Sequence, residues 1–211
     1  MVLDSHRSKV DFIMDPVAKA MVKVPPNHIS LIALALAALA GALLYLSHAH
    51  WELLPVAAVV VLVSGFFDGL DGKVARLVGK ADRTGDFLDH VLDRYADMLM
   101  IGGVAVSAWC SPYLGMMALV GVLLTSYMGT QAQAVGAKRM YAGLLGRADR
   151  IVLSFLAPLV QLGMVLLGSP EVALLGYEIN AFEAMMLWLA VVGNLTAIQR
   201  AVLTYSWLRK A

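Results

Sequence analysis

Six uninterrupted apolar stretches, each near the roughly 20 residues needed to cross a bilayer, dominate the chain. They run from about Ile29 to Leu46, Leu53 to Arg76, Asp86 to Trp109, Tyr113 to Val135, Arg150 to Gly168 and Ala181 to Tyr205. Charge sorts the connections between them. The amino-terminal segment holds Arg7, Lys9, Lys19 and Lys23; the second-to-third connection holds Lys80 and Arg83; the fourth-to-fifth holds Lys138, Arg139 and Arg147; and the carboxyl end adds Arg209 and Lys210. The connections at His48 to Glu52, Cys110 to Pro112 and Ser169 to Asn180 carry no Lys or Arg. By the positive-inside rule both termini are expected in the cytoplasm. An odd number of spans would scatter this alternation.

Met1 to Lys23 carries charges throughout and lacks the compact apolar core of a signal peptide. Phe12, Ile13, Val17, Ala20, Met21 and Val24 recur at helical intervals with Lys19 and Lys23 between them, as in a helix lying on a membrane surface, with Pro16 placed in its first turn. A disordered polar tail is the alternative. The expected division is residues 1–28 as a cytoplasmic segment with a surface helix and 29–211 as an all-α domain of six transmembrane helices. Composition agrees, since 60% of the 211 residues are hydrophobic and 15% charged, outside the range of soluble proteins. A net charge of +1 excludes a nucleic-acid partner bound through a basic surface. The single cysteine, Cys110, excludes an internal disulfide framework or a Cys-rich metal site.

The chemistry is concentrated between Phe66 and Asp97, where acidic residues stand at the ends of two spans. An ionised carboxylate there costs about 2.5–3.5 kcal/mol even on lenient insertion scales. Asp68 and Asp71 share one helical face with Gly65, Gly72 and Ala75. Asp89 and Asp93 share another, with Gly85 one turn before and Asp97 one turn beyond. At about 1.5 Å per residue, Asp71 and Asp89 lie some 6 to 7 Å, and Asp68 and Asp93 some 12 Å, from the cytoplasmic ends of their spans. Two facing acidic stripes follow if the helices pack together. Four carboxylates so close cannot all stay ionised without cations. Hard divalent ions, Mg²⁺ or Mn²⁺, suit an all-oxygen ligand set, and two of them would balance four negative charges. Such ions also bind phosphate oxygens, which points to phosphoryl chemistry. Solvation, helix capping or pairing with Arg76, Arg83 or Arg94 is the alternative for acids at span ends. It is preferred for Asp82 and Asp86, with Asp86 as the amino-terminal cap of the third span, and is left open for His90 and Asp97.

Asp68, Asp71, Gly72, Ala75, Arg76, Gly85, Asp89 and Asp93, at their spacing across 26 positions, resemble the signature of the CDP-alcohol phosphotransferase family. Pro26, Asn27 and Ser30 look like that family's turn into the first span. The resemblance implies an enzyme that moves a phosphatidyl-type group from a CDP-linked lipid, CDP-diacylglycerol or CDP-archaeol, to a small polar alcohol and releases CMP. It implies that Asp68, Asp71 and Asp89 hold a pair of divalent ions, with Asp93 sharing them or acting as general base. Gly72 and Ala75 would let the cytidine approach, Arg76 would contact the nucleotide, Gly85 would keep the opposing face open, and Asn27 and Ser30 would help hold the CDP-lipid. A homodimer is also implied, for which Ala181, Ala184 and Gly193 offer small contact residues.

For the acceptor, Lys138, Arg139, Arg147 and Arg150 form a basic cytoplasmic stretch, and Arg147 and Arg150, three apart, are placed to grip one phosphate. Gly146 to Leu153 resembles the paired-arginine element of inositol-phosphate-using members, and Ser126 with Tyr127 their serine–tyrosine pair. Those members usually continue with a lysine and an arginine, where this chain has Gly129, Thr130, Gln131, Ala132 and Gln133. Inositol 1-phosphate therefore ranks narrowly ahead of glycerol 3-phosphate, serine, ethanolamine or an uncharged alcohol. A cation or proton-coupled transporter is the alternative from another class, but it predicts an inverted repeat and acids near mid-membrane.

Overall fold

The computed structural model describes residues 7–80, 82–174 and 176–210; part of the expected amino-terminal segment, residues 1–6, lies outside them. The chain forms α1 (Arg7–Ala20), α2 (Pro26–Leu46), α3 (Leu53–Leu77), α4 (Arg83–Ala105), α5 (Pro112–Ala134), α6 (Arg147–Leu166), β1 (Val172–Leu174), β2 (Tyr177–Ile179) and α7 (Ala181–Leu208). The architecture is all-α apart from the β1–β2 hairpin, in which Val172 pairs with Ile179 and Leu174 with Tyr177. Local chemistry sets the helix starts. Pro26 and Pro112 open α2 and α5, where a missing N–H leaves no bond unmade. Asn180 and Glu183 form a reciprocal cap on α7.

Five helices, α2, α3, α5, α6 and α7, are long and apolar enough to cross a membrane, so the chain is a multi-pass membrane protein. The third expected span, α4, matches α5 in length at 23 residues. Six charged residues between Arg83 and Asp97 fill its first two turns and more, and only Met98 to Ala105 is free of charge. It starts at Arg83 rather than Asp86 because Asp82, not Asp86, is the cap: its carboxylate accepts from the Gly85 N–H at 2.7 Å. It ends at Ala105 rather than Trp109, whose indole lies beyond the helix and donates to Ser47 Oγ at 2.9 Å. The fifth span likewise begins at Arg147, ahead of Arg150, with Asp149 accepting from the Gly146 N–H at 2.7 Å. In α1, Pro16 sits inside the helix rather than in its first turn. Met14 and Ala18 pack with Ile29, Leu70 and Val74, Asp15 pairs with Lys73 of α3 at 2.6 Å, and Phe12 and Ile13 are exposed.

The packing that positions the site is centred on α2, which lies against both α3 and α4. Glycine makes the second contact possible. A Cβ on Gly41 would overlap the Leu99 carbonyl, and one on Gly103 would overlap the Gly41 backbone, whereas a Cβ on neighbouring Gly102 would meet nothing. Close backbone approach of this kind is how small residues drive helix association in membranes. Gly103→Val is expected to destabilise the protein by about 1–3 kcal/mol through overpacking, read as a lower Tm in detergent, while Gly102→Ala leaves Tm unchanged. A second pair of helices, α5 and α7, crosses at Gly121 and Gly193 in the same manner. Leu44, Val61, Ile101, Val104, Val122, Phe182 and Leu189 form the buried core between them.

Candidate active site

The two acidic helices pack chiefly on α2 rather than on each other, and α6 packs on α3. This corrects the condition that the two helices pack together. The carboxylates of α3 and α4 instead face one another across a gap, and the amino terminus of α6 enters it. Below the acids the gap continues as a narrow cleft lined by Ser30, Ala33, Leu34, Gly65, Leu92, Ala96 and Met100, with Asp68, Asp97 and Arg147 at its charged end. Gly65 is needed for the fit of α6, since a Cβ there would meet Ile151 at 3.0 Å.

Asp71 and Asp93 are buried, and Asp68 and Asp89 are partly so. Asp71 accepts from the Ser30 hydroxyl and from the Gly72 N–H, the latter at 2.5 Å. Ser30, expected on the CDP-lipid, thus donates its hydroxyl proton to an aspartate of the acidic cluster. Asp68 and Asp89 both lie within electrostatic reach of Asp71. Arg147, the first residue of α6, pairs with Asp68 and with Asp93, the second contact at 2.5 Å. Arg94 lies 3.4 Å from Asp93 and 3.6 Å from Asp97, and Arg150 lies 3.1 Å from Asp97. Side-chain donor atoms of Asp89, His90 and Asp93 all lie within 4.8 Å of one another. Five aspartates against three arginines leave this partly buried cluster with a formal charge of minus two when all are ionised, an arrangement that calls for cations. The carboxylate donor set fits hard divalent ions.

Gly85 sits where a Cβ would meet the Asp82 carboxylate at 3.4 Å, so its N–H serves the helix cap. Arg76 is exposed and reaches back over Gly72, whose Cβ position lies 3.5 Å from the guanidinium; Ala75 is half-buried and Asn27 exposed.

Beside Asp93 lies a second, roomier cleft. Ser126, Arg139, Arg147 and Arg150 line it, while Lys138 is exposed and is not part of the lining. Arg147 and Arg150 engage different acids rather than gripping one point together, and Arg150 also donates to Ser126 Oγ at 3.2 Å. Two lining arginines were not among the residues expected at the acceptor, although Arg94 was a candidate partner for the acids, and it does pair with Asp93 and Asp97. Arg94 follows Asp93, and Arg200 reaches over from α7, donating to the Thr125 carbonyl at 2.6 Å and the Ala142 carbonyl at 2.8 Å. Its Nη2 is buried with no hydrogen-bond partner among the described residues. A charge inside the last apolar stretch was the available signal.

A multi-pass membrane protein with clustered carboxylates at helix ends, opening onto an arginine-lined cleft, is organised to handle phosphate esters at the membrane surface. The sequence profile of the CDP-alcohol phosphatidyltransferases matches residues 23–198, and the chain belongs to that family. It is 31% identical to archaetidylinositol phosphate synthase of Methanothermobacter thermautotrophicus over 99% of this chain and 95% of that one. It is likewise 31% identical to phosphatidylinositol phosphate synthase of Corynebacterium glutamicum over 93% and 86%. Its fold is similar to the crystal structure of Mycobacterium tuberculosis phosphatidylinositol phosphate synthase with CDP-DAG bound, at TM-score 0.73 and 24% identity, covering 92% of this chain and 94% of that one. The same enzyme in complex with manganese and citrate matches at TM-score 0.73 and 22% identity, covering 91% and 88%. The chain is thus a membrane transferase of phospholipid biosynthesis, moving a phosphatidyl-type group from a CDP-linked lipid to a small polar alcohol with release of CMP. Family membership removes the transporter alternative.

Proposed function

We propose that the acceptor is inositol 1-phosphate. The observation that carries this reading is the cleft beside Asp93, whose lining takes Arg94 from α4, Arg139 from the α5–α6 segment, Arg147 and Arg150 from α6 and Arg200 from α7. Arginine forks suit phosphate oxygens, and while Arg94, Arg147 and Arg150 already meet aspartates, Arg139 and Arg200 have no carboxylate partner among the described residues. The names of the archaeal and corynebacterial relatives support the same acceptor.

Asp68, Asp71, Asp89 and Asp93 are the proposed ligands of Mg²⁺ or Mn²⁺, as a pair of ions in each chain. Bound there, divalent cations neutralise the pyrophosphate and ease departure of CMP. Asp93 has a second task. It belongs both to the acid cluster and to the arginine-lined cleft, and this double membership supports a role between the acceptor hydroxyl and the lipid-linked phosphorus. It takes the hydroxyl proton as the oxygen attacks. Gly72, Ala75 and Arg76 on α3, with Asn27 on α2, bound the face assigned to the nucleotide.

In this reading α4 is a sixth span, with its charged half at the membrane edge and Met98 to Ala105 in the hydrocarbon. The site and both termini then face the cytoplasm, α1 rests on the same surface as part of residues 1–28, residues 29–211 form the transmembrane domain, and two chains pair as a homodimer.

Purified protein given CDP-lipid, Mg²⁺ or Mn²⁺ and a panel of alcohols tests the acceptor. CMP release with inositol 1-phosphate is expected to exceed that with inositol at least about 10²-fold, because Arg139 and Arg200 then have no anion to meet. Equal turnover of the two, or a preference for serine or ethanolamine, overturns the assignment.

A further inference from the structure

The face of α5 that lines the acceptor cleft presents Thr125, Ser126 and Gly129, none of them charged. Positive charge enters that side from elsewhere. The segment joining α5 to α6 crosses α5 at Gly129, where the Met140 N–H donates to the Gly129 carbonyl at 3.4 Å. A Cβ on Gly129 would sit 3.1 Å from the Met140 carbonyl oxygen and 3.3 Å from Arg200 Nη1, so even a methyl group would press the crossing back by a few tenths of an ångström and a larger side chain would displace it. The segment is held beyond the crossing as well. The Ala142 carbonyl accepts from Arg200 Nε, and Gly143, at φ +111°, lies so close to Thr196 that any Cβ would overlap it. Arg139, one residue before the crossing, is thereby carried to the cleft, with its guanidinium against His90 Nε2 and 5.3 Å from the Tyr141 ring centroid.

We propose that Gly129 and Arg139 act as one specificity device. By omitting its side chain, Gly129 lets the α5–α6 segment lie on the helix, and the segment delivers Arg139 as the cation that α5 does not supply for the acceptor phosphate. The device rests on the phosphate-bearing acceptor argued above and names which residues on this side of the cleft confer it. Arg139 recognises the acceptor, and Gly129 is a positioning residue acting through it. The null charge of α5 and the basic segment beyond it are then two halves of one solution.

Steady-state kinetics of the full-length protein, with inositol 1-phosphate varied at saturating CDP-lipid, separates the parts. Arg139→Ala is expected to raise the acceptor KM about 10- to 100-fold, the loss of a charged hydrogen bond, with kcat and the CDP-lipid KM within about 3-fold, and Arg139→Lys recovers most of that loss. Gly129→Leu, which displaces the crossing, is expected to raise the same KM. In the double variant Gly129→Leu/Arg139→Ala the acceptor KM is expected to be no higher than in the worse single variant. An unchanged acceptor KM in Arg139→Ala overturns the proposal while leaving the phosphate-bearing acceptor standing, provided the wild-type protein still prefers inositol 1-phosphate over inositol. Multiplying effects in the double variant overturn the part that routes Gly129 through Arg139. A wild-type protein indifferent to the acceptor phosphate defeats the acceptor reading itself.

Discussion

Asp93→Asn is expected to lower turnover by about 10²- to 10⁴-fold, the usual contribution of a positioned general base, while the protein remains folded and binds CDP-lipid. Asparagine preserves the shape of the side chain and removes its ability to hold a proton. The fold should tolerate the change because no cation is stranded by it. Arg147 keeps its pairing with Asp68, and Arg94 keeps Asp97 at 3.6 Å. The variant loses its bridge between α4 and α6, yet α6 remains fixed to α3 through its packing and to α4 through Arg150 and Asp97. Single-turnover CMP release and equilibrium binding of CDP-lipid at fixed Mn²⁺ check the prediction. Binding within a few-fold of wild type with turnover nearly abolished supports the base assignment. Turnover comparable to wild type removes it, and loss of CDP-lipid binding in step with turnover would make Asp93 a ligand only.

The aspartates were legible because helical spacing alone puts Asp68 with Asp71 and Asp89 with Asp93, and because charge at a span end demands an explanation. How α3 and α4 relate was not. Spacing places residues on a face but says nothing about which neighbour that face meets, and the decisive contact, Gly41 against Leu99 and Gly103, makes α2 the common support. The same limit hid the acceptor cleft. Arg147 and Arg150 are three apart on one helix, so they read as a single phosphate clamp, whereas their long side chains turn toward different aspartates. Arg200 lies fifty residues from Arg150 in an apolar stretch and has no local pattern to announce its role; only the crossing of α5 and α7 brings it to Thr125. Asp86 looked like the cap because apolar periodicity starts at Phe87. The structure starts the helix a turn earlier, since Asp82 is the residue in extended conformation, φ −132° and ψ 174°, with its carboxylate on the Gly85 N–H.

Removing the negative charge of Asp71 is expected to act through metal binding and not through proton transfer, which distinguishes it from Asp93. In Asp71→Asn, activity at ordinary Mg²⁺ or Mn²⁺ concentrations is expected to fall at least about 10²-fold, and the concentration giving half of the residual activity to rise by about 10-fold or more. Ser30→Ala offers a graded companion. The hydroxyl donates to Asp71 across the α2–α3 contact, so its loss leaves the charge in place and frees the carboxylate to rotate, a change that in comparable metal sites costs about 10- to 100-fold in affinity or activity. Raising the metal concentration should therefore restore Ser30→Ala nearly to wild-type turnover and Asp71→Asn only in part. Titration of activity with Mn²⁺, repeated with Mg²⁺, reads both. If Ser30 instead served the nucleotide, its variant would raise the CDP-lipid KM at every metal concentration and added metal would not rescue it. If Asp71 were a structural acceptor for Ser30 and Gly72 alone, asparagine, which retains an acceptor oxygen, would leave the metal titration where it is in the wild-type protein.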